Sequence, residues 1–534
     1  MNFRITECLV ALLVLASYCA NCAAIVESGK MKSMREKAKH RARGIIYNND
    51  GNELYLTRLN SVQDFLNQRT EPSLGTQVNS TFYCTGVTTL YAHDTDIAER
   101  ADTLVDSSDF SKRGIYPFAC NWRDNMKMLR AAGTDELHAV VTRLHEKGQE
   151  LFWSHRINDV HDSVLAWPHL LSKWKINHPQ YLMGVPEDSK KYPMSSPRFW
   201  WSTLDFEKPE VRNYLYRITE EVCKRFDVDG IEIDYFRSPM FFRPNLDMKP
   251  ATRAQLDIMT EFQRRIHEMA IREGNRRGRP ILVAVRLPMT VISCNHVGID
   301  IKRWLEEGLL DVLTMEGGYA PFTMPTRELV KLGHKHNVPV YPTISNSGMP
   351  GRHNAVEYWR GVAANAWNDG ADGIYLFNHF PAQPNDALFT QLGSPKTLKW
   401  LDKVFAIDNQ FEDEGDLAQA IQQSDIIPVK LTGDGNTQKV YLPVGDDIRG
   451  AARAGKLSEL KLMIQCEPAS GGVDLTVTLN GHNLASSAPS DADGWLTYNP
   501  APSFFIRGRN TIIFSSKQSV TIRCVEAHVN YKQN

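Results

Sequence analysis

The residues best suited to chemistry sit in one short run, Gly230-Ile231-Glu232-Ile233-Asp234-Tyr235, which alternates aliphatic side chains with carboxylates. In a strand, Ile231 and Ile233 fall on one face and Glu232 and Asp234 on the other. Two acids on one face of an otherwise apolar strand are costly to bury unless they are paired or used. A further acid, Glu316, ends the run Leu310-Asp311-Val312-Leu313-Thr314-Met315-Glu316 on the parity of Thr314, and Gly317 and Gly318 follow it, where a ligand can approach the backbone closely. Two carboxyl groups across one pocket are what cleavage of a glycosidic bond requires: one attacks or activates water, the other protonates the departing oxygen. Asp234 is the expected nucleophile, or the base of an inverting reaction, and Glu316 the expected acid. A separation of about 5 Å implies retention of configuration and roughly 6.5–9.5 Å inversion. Glu232, one layer deeper, is expected to orient Arg237, Arg286 or a substrate hydroxyl. The plainer alternative is structural: ion pairs of Asp234 and Glu232 with those arginines, and a salt bridge or helix cap for Glu316.

Side chains this far apart in sequence meet only if a scaffold brings them together. From residue 44 to 412, short β-branched or aromatic runs alternate with longer amphipathic stretches, the pattern of βα units around a parallel sheet. The eight runs are Gly44–Tyr47, Thr81–Thr88, Leu151–His155, Gly230–Tyr235, Ile281–Leu287, Leu310–Glu316, Pro339–Ile344 and Gly373–Asn378. Eight such strands close a (β/α)8 TIM barrel, an α/β fold whose reactive groups gather at the C-terminal strand ends. Val211, Leu215, Ile218, Val222 and Phe226 recur at helical spacing before the fourth run, behind a helix-starting Pro209; Leu256, Met259, Phe262, Ile266 and Met269 do so after it. These stripes are core.

The strand ends supply candidate substrate-binding groups: His155, Arg156, Asn158 and Asp159 after the third run, Arg237 after the fourth, Arg286 on the fifth, Tyr319 after the sixth, Asn346 after the seventh, and Asn378 and His379 after the eighth. Asn48, Asn49 and Asp50 add to this rim. A long insert between the third and fourth runs holds Trp167, Trp174, Tyr181, Tyr192, Phe199, Trp200 and Trp201, and aromatic rings of this kind stack on sugar faces. Trp201 is the candidate taken from that group. Each of these side chains has an equally plain reading as a satisfied core or loop group.

Beyond residue 413 the period changes to two: Val473, Leu475, Val477 and Leu479 alternate with polar residues before a turn at Asn480-Gly481. Residues 413–534 are therefore expected to form a small antiparallel β-sandwich, a module that caps the barrel and has a second reading as a glycan binder. At the other end, Arg4, the apolar run Leu9–Ala20 and small Ala23 and Ala24 have the layout of a cleaved secretory signal over 1–24, which implies a periplasmic or extracellular protein; Cys19 and Cys22 leave a lipid-anchored form as a lesser alternative. Residues 25–43 are expected to be a basic, solvated linker, with contact of Lys30 to Arg43 on an acidic surface as the lesser alternative. The cysteines after the leader, Cys84, Cys120, Cys223, Cys294, Cys466 and Cys524, lack the close pairs that bind zinc; Cys466 and Cys524 either bridge or stay as buried thiols.

A formal charge of −1 gives no electrostatic reason to expect a nucleic-acid or anionic-membrane partner, so a neutral carbohydrate fits better. No cofactor is expected, no transmembrane segment after signal cleavage, and the oligomeric state is open. HExxH, GxSxG and P-loop signatures are absent, and His334-Lys335-His336 has the composition of a solvated helix end. Trp201-Ser202-Thr203-Leu204-Asp205-Phe206, then Pro209-Glu210-Val211-Arg212, then Phe226-Asp227-Val228-Asp229-Gly230-Ile231-Glu232-Ile233-Asp234-Tyr235, resembles the family-10-like glycoside hydrolases of exported bacterial proteins. The resemblance implies a barrel over the 44–410 region and a catalytic acid at the fourth strand end, which maps onto Asp234. The second acid is not carried over: the fifth run ends in Arg286 and the seventh in Thr343, and Glu316 is chosen by elimination. Two rivals remain: a barrel that binds glycan without turnover, and a metal-dependent hydrolase such as a polysaccharide deacetylase, with His155, Asp159, His161 and His379 as ligands.

Overall fold

In the computed structural model, the described residues are 27–103, 116–164, 167–317, 322, 324–345, 351–381, 383, 385–408, 427–467, 475–485 and 493–532. The expected leader lies outside them. Eight strands, β1 (Ile45–Asn49), β2 (Val78–Tyr83), β3 (Glu150–Arg156), β4 (Gly230–Asp234), β5 (Leu282–Pro288), β6 (Val312–Glu316), β7 (Val340–Ile344) and β8 (Ile374–Leu376), pair in parallel in chain order and close, β8 against β1. Each corresponds to one of the eight expected runs; β2 begins earlier than expected, and Cys84 to Thr88 lie beyond its end. In register, Ser154 stands beside Glu232 and Ala284, and Arg156 beside Asp234 and Arg286. That places successive layers of inward side chains along the barrel axis.

The lower interior is apolar: Ile46, Phe82, Phe152, Leu282, Ala284, Val312, Tyr341 and Tyr375 form a buried cluster distinct from the strand–helix core. Phe82 and Phe152 stack with ring centroids 4.5 Å apart. Outside the barrel, the helix Pro209–Arg225 buries Val211, Leu215, Ile218 and Val222, and the helix Arg253–Arg277 buries Met259, Phe262, Ile266 and Met269, as their spacing predicts. The second of these starts on a Thr252/Gln255 capping box and stops at Gly278 in the left-handed region.

The segment expected as a solvated basic linker is instead ordered. Residues Gly29–Lys39 form helix α1, capped by Ser28; Arg35 and Lys39 turn inward while Lys30, Lys32 and Lys37 stay exposed. Arg35 reaches Asp311 at 2.7 Å and the Ile281 carbonyl at 3.0 Å. Arg43, fully buried, donates to Glu150 Oε2 at 2.8 Å, and Ser80 donates to the same oxygen at 2.6 Å. A run of lysines and arginines reads as solvated only while nothing tells it apart from a run that meets buried acids; here Asp311 and Glu150, at the N-terminal strand ends, supply that partner.

The second domain also begins earlier than residue 413. Strand β9 (Lys403–Asp408) pairs antiparallel with β17 (Ser519–Tyr531), not with any barrel strand. Between them in sequence lie β10 (Val429–Thr432), β11 (Thr437–Val444), β12 (Leu457–Glu467), β13 (Leu475–Leu479), β14 (His482–Leu484), β15 (Trp495–Tyr498) and β16 (Gly508–Ser516). They make two antiparallel sheets, β9-β17-β12-β15 with β10 also on β17, and β11-β16-β13-β14. Alternate residues Leu460, Leu462 and Ile464 of the first sheet and Val477, Leu479, Ile512 and Phe514 of the second are buried in one core, the period-two pattern expected of a sandwich. Cys466 and Cys524 are both buried free thiols: Cys466 faces Ile522 in register and Cys524 faces Gln465, so they do not oppose each other. The domains meet closely. A Cβ on Gly361 would lie 1.9 Å from the Val404 carbonyl oxygen, so the helix Val356–Asn368 reaches β9 only because that residue is glycine. Among the described residues, no helix is long and apolar enough to cross a membrane.

Truncating Arg43 leaves Glu150 as a buried charge without its strongest partner, a class of change that costs about 3–5 kcal/mol. Arg43→Ala is expected to lower the unfolding midpoint in urea or heat markedly, whereas Arg41→Ala, on an exposed side chain, is expected to leave it nearly unchanged.

Candidate functional site

The two carboxylates singled out from sequence do converge, and a third residue joins them. Arg286, on β5, donates from Nη1 to Asp234 Oδ2 at 2.9 Å and from Nη2 to Glu316 Oε2 at 2.7 Å. Its guanidinium is fully buried, 3.9 Å from the centre of the Phe377 ring and 5.2 Å from that of Phe236. Asp234 Oδ1 accepts from the backbone N–H groups of Phe236 and Arg237, each at 3.0 Å, so the turn after β4 clamps the carboxylate from the other side. Both acids are buried at 1% exposure. The salt-bridge alternative for Asp234 and Glu316 therefore holds geometrically; it does not conflict with a shared site, because one guanidinium bridges both.

Glu232 occupies the layer beneath and does not orient Arg237 or Arg286 through a hydrogen bond. It accepts instead from Ser154 at 2.5 Å and Tyr375 at 3.1 Å, while Oε1 is buried without a partner. Burial, and next the negative charge of Asp234, push its carboxyl up from 4.5 to about 7. Spacing of two along a strand showed that Glu232 shares the face of Asp234, but not that Ser154 and Tyr375, from other strands, would be its hydrogen-bond partners.

Beside this centre a cavity of about 250 Å³ opens at the C-terminal strand ends, lined by Asp50, Gly51, Tyr55, Trp122, Arg156, His161, Trp167, His169 and Arg237 among others. Asp50 pairs with Arg156. Although burial alone would raise its pKa, the guanidinium groups of Arg156, Arg237 and Arg69 hold it below the usual carboxylate value. Asp159 is likewise depressed against the effect of burial, by His161 first and then Arg237 and Arg156. His161 Nδ1 lies 2.5 Å from Asp159 Oδ1, and its Nε2 meets Arg237. Asn378, with its amide turned to donate, stands 3.1 Å from Asp50 Oδ1 and holds a left-handed φ of 54° at the end of β8. Such a conformation in a non-glycine residue is uncommon outside turns and binding sites. Gly51, at φ 64°, is obligatory: a Cβ there would fall 1.6 Å from the Cys84 carbonyl oxygen.

Arg156 and Arg237 thus line the mouth, Asp159 and Asn378 contact groups that line it, and Arg286 lies fully buried against Asp234 and Glu316. Four others do not reach it. His155 is one residue out of phase with Ser154 and Arg156, so it faces the helices, where its Nδ1 meets Thr219 at 3.0 Å and burial pushes it down to about 3. Asn158 is consumed by the backbone, donating to the Met240 carbonyl and accepting from the Leu204 N–H. His379 is paired with Asp386 at 2.9 Å. Trp201 is buried at 7% exposure and donates to the Ser163 carbonyl, held down by a loop whose own anchor is the buried Lys175–Asp162 pair at 2.7 Å. Among the described residues, the exposed aromatic on this rim is Trp167, 42% exposed. Tyr319, Gly318 and Asn346 lie outside the described residues. His155 is taken by Thr219 and His379 by Asp386, and among the described residues the four side chains expected as ligands of a catalytic metal do not come together.

Other residues of the mouth went unnoticed in sequence. Tyr55 comes from a one-turn helix after β1, Trp122 from the helix Tyr116–Ala131 after β2 and His169 from the long loop, while Arg69, at the end of the helix Val62–Arg69, acts on Asp50 by its charge. The motif residues that carry the resemblance divide in the same way. Asp234 is in the site, whereas Asp229, at the opposite end of β4, accepts from the Leu151 N–H and His145 and fastens the strand ends together.

Residues 109–250 match the family model described as glycosyl hydrolase-like 10. The match takes in about a quarter of the chain, including β3, the aromatic loop and β4, and bears out the resemblance drawn from the fourth-strand motif, with a glycosidase as the kind of enzyme resembled. No curated protein matches the chain in sequence. Among solved structures it is similar to a cycloisomaltooligosaccharide glucanotransferase of a Paenibacillus species, with 9% identity over 92% of this chain and 57% of that one and a TM-score of 0.32. It is similar to alpha-L-fucosidase isoenzyme 2 from Paenibacillus thiaminolyticus, with 13% identity over 66% and 48% and a TM-score of 0.39. It is also similar to the endo-beta-1,4-mannanase from Thermotoga petrophila, with 9% identity over 93% and 99% and a TM-score of 0.38. The chain spans about half the length of the first two. Likeness at this level bears on neither substrate nor mechanism.

Glu232 also yields a pH prediction. Its folded pKa lies above the unfolded value, so its contribution to stability is complete below about 4.5 and is lost as the pH rises through about 7. Glu232→Gln is expected to flatten the fall in unfolding free energy across that window, read from urea denaturation of both proteins at several pH values.

Proposed function

We propose that this protein is a glycoside hydrolase in which Asp234 and Glu316 act on a glycosidic bond at the C-terminal mouth of the barrel. The observation that supports it is the convergence of these two acids, from β4 and β6, on the single buried guanidinium of Arg286. Asp234 is fixed on both oxygens, which suits a group that must present a carboxylate in one orientation to the anomeric carbon or to a water beside it. Glu316 is the proton donor: the proton on its carboxyl passes to the glycosidic oxygen as the bond to the anomeric carbon breaks, and water completes the hydrolysis. Arg286 orients both acids. The rim formed by Asp50, Arg156, Asp159, Arg237 and Asn378 offers donors and acceptors to sugar hydroxyls, and Trp167 an exposed ring to a sugar face.

One observation favours a second reading, a barrel that holds glycan without cleaving it. The guanidinium of Arg286 lies between the two carboxylates and holds one oxygen of each. In the hydrolase reading, substrate binding must loosen the Glu316–Arg286 contact so that Glu316 is protonated.

A panel of plant, algal and bacterial cell-wall glycans, incubated with the purified protein and analysed for new reducing ends, separates the readings. Hydrolysis is expected, with Asp234→Asn and Glu316→Gln each lowering kcat by about 10³-fold or more while the folded spectrum is kept. Full turnover in Asp234→Asn removes that residue from the mechanism; retained glycan with no product across the panel favours the binding protein.

A further inference from the structure

A second cluster of chemistry-bearing side chains lies away from the mouth, where the barrel meets the sandwich. His353 belongs to a 3-10 turn (Gly351–Asn354) just before the helix Val356–Asn368 of the barrel; Asp408 is the last residue of β9 and Glu526 lies in β17, both in the sandwich. One ligand atom from each falls within 4.8 Å of the others. The side chains are buried at 0%, 0% and 2% exposure. His353 Nε2 stands 3.2 Å from Asp408 Oδ2 without hydrogen-bond geometry, and neither ring nitrogen has a hydrogen-bond partner. A fully buried imidazole with both nitrogens unsatisfied, aimed at two buried carboxylates, is an expensive arrangement for packing alone.

We propose that His353, Asp408 and Glu526 bind one divalent transition-metal ion of the zinc type, which clamps the barrel to the sandwich. One imidazole nitrogen and two carboxylates suit such an ion in preference to magnesium or calcium, which favour sets made wholly of oxygen. Donors at about 2.0–2.2 Å from zinc stand roughly 3–4 Å from one another, so small side-chain movements close the site. The neighbours support the carboxylates: Tyr358 donates to Glu526 Oε1 at 2.9 Å, and His528 Nε2 lies 2.8 Å from Oε2. Together with Arg352, they hold the Glu526 carboxyl below its usual range despite burial.

Arg352 is the cation that now balances this site. Its guanidinium contacts Asp408, lies 3.5 Å from Glu526 Oε1, and is 30% exposed, 5.7 Å from the centre of the Trp495 ring. An incoming ion takes over the carboxylates as Arg352 moves outward, which supplies the entry path. Because one ligand comes from the barrel and two from the sandwich, the ion's role is to hold the domains together. The site owes nothing to Asp234 or Glu316, and glycan turnover is no part of its test.

The full chain, stripped with EDTA and desalted, is incubated with Zn2+ alone, with Mg2+ alone as comparator, and the retained metal is counted. One equivalent of zinc and no magnesium is expected, with a rise of about 2 °C or more in Tm that EDTA reverses. His353→Gln is expected to lose both the retained zinc and the rise. Equal retention by wild type and His353→Gln, or none by wild type, overturns the proposal. Should His353→Gln fail to fold, anomalous scattering at the zinc edge from wild-type crystals decides: a peak between His353, Asp408 and Glu526 upholds the site, and its absence there refutes it.

Discussion

The upper half of the barrel is organised around one buried guanidinium. Arg286 is surrounded by aromatic rings and the strand wall, and a charge so placed must be matched where it stands. Asp234 and Glu316 match it from neighbouring strands on either side, and the backbone turn after β4 fixes the far oxygen of Asp234. The orientation of both acids is thereby a consequence of burying Arg286. Below this layer Glu232 sits with Ser154 and Tyr375 above a mainly apolar cluster, while the cavity opens at the strand ends. The contacts that hold both acids in place also tie them to Arg286, so the same geometry is compatible with hydrolysis and with binding that does not turn over.

Charge is handled similarly at three other levels of the molecule. At the base, Arg35 and Arg43 meet Asp311 and Glu150. In the long loop, Lys175 and Asp162 pair out of solvent and hold the aromatic segment down. At the domain junction, Arg352 balances Asp408 and Glu526. Each of these cations has its acid on a different element, so these contacts specify which surfaces meet, beyond what the less selective apolar burial provides. The mouth differs in degree: Asp50, Arg156, Asp159, His161 and Arg237 form a net of opposite charges that remains partly open to solvent beside an exposed Trp167, which leaves groups to receive a polar ligand.

Much of this was legible in the chain. Eight short runs separated by amphipathic stretches announced the barrel, because strand and helix periods differ and only one architecture uses that alternation eight times. Parity along one strand placed Glu232 and Asp234 together, and Asp234 reached the mouth as that parity required. On the third run parity was not applied: His155 and Arg156 are adjacent, so only one of them can face inward, and the register gives that place to Arg156. Asn158, His379 and Trp201 were polar or aromatic residues in the right neighbourhood, whose donors and acceptors the backbone and Asp386 had already taken; residue type does not reveal a partner that comes from elsewhere in the fold. Lys30 to Arg43 looked solvated for the same reason.

The sequence by itself determined the repeating elements, the inward face of the fourth strand and the change to a two-residue period near the C-terminus, because these depend on local periodicity. Only the tertiary structure decided that Arg286 stands between the two acids, that β9 leaves the barrel for the sandwich, and that His353 meets Asp408 and Glu526. Those contacts join residues that are far apart in the chain, and their existence depends on which surfaces close upon each other.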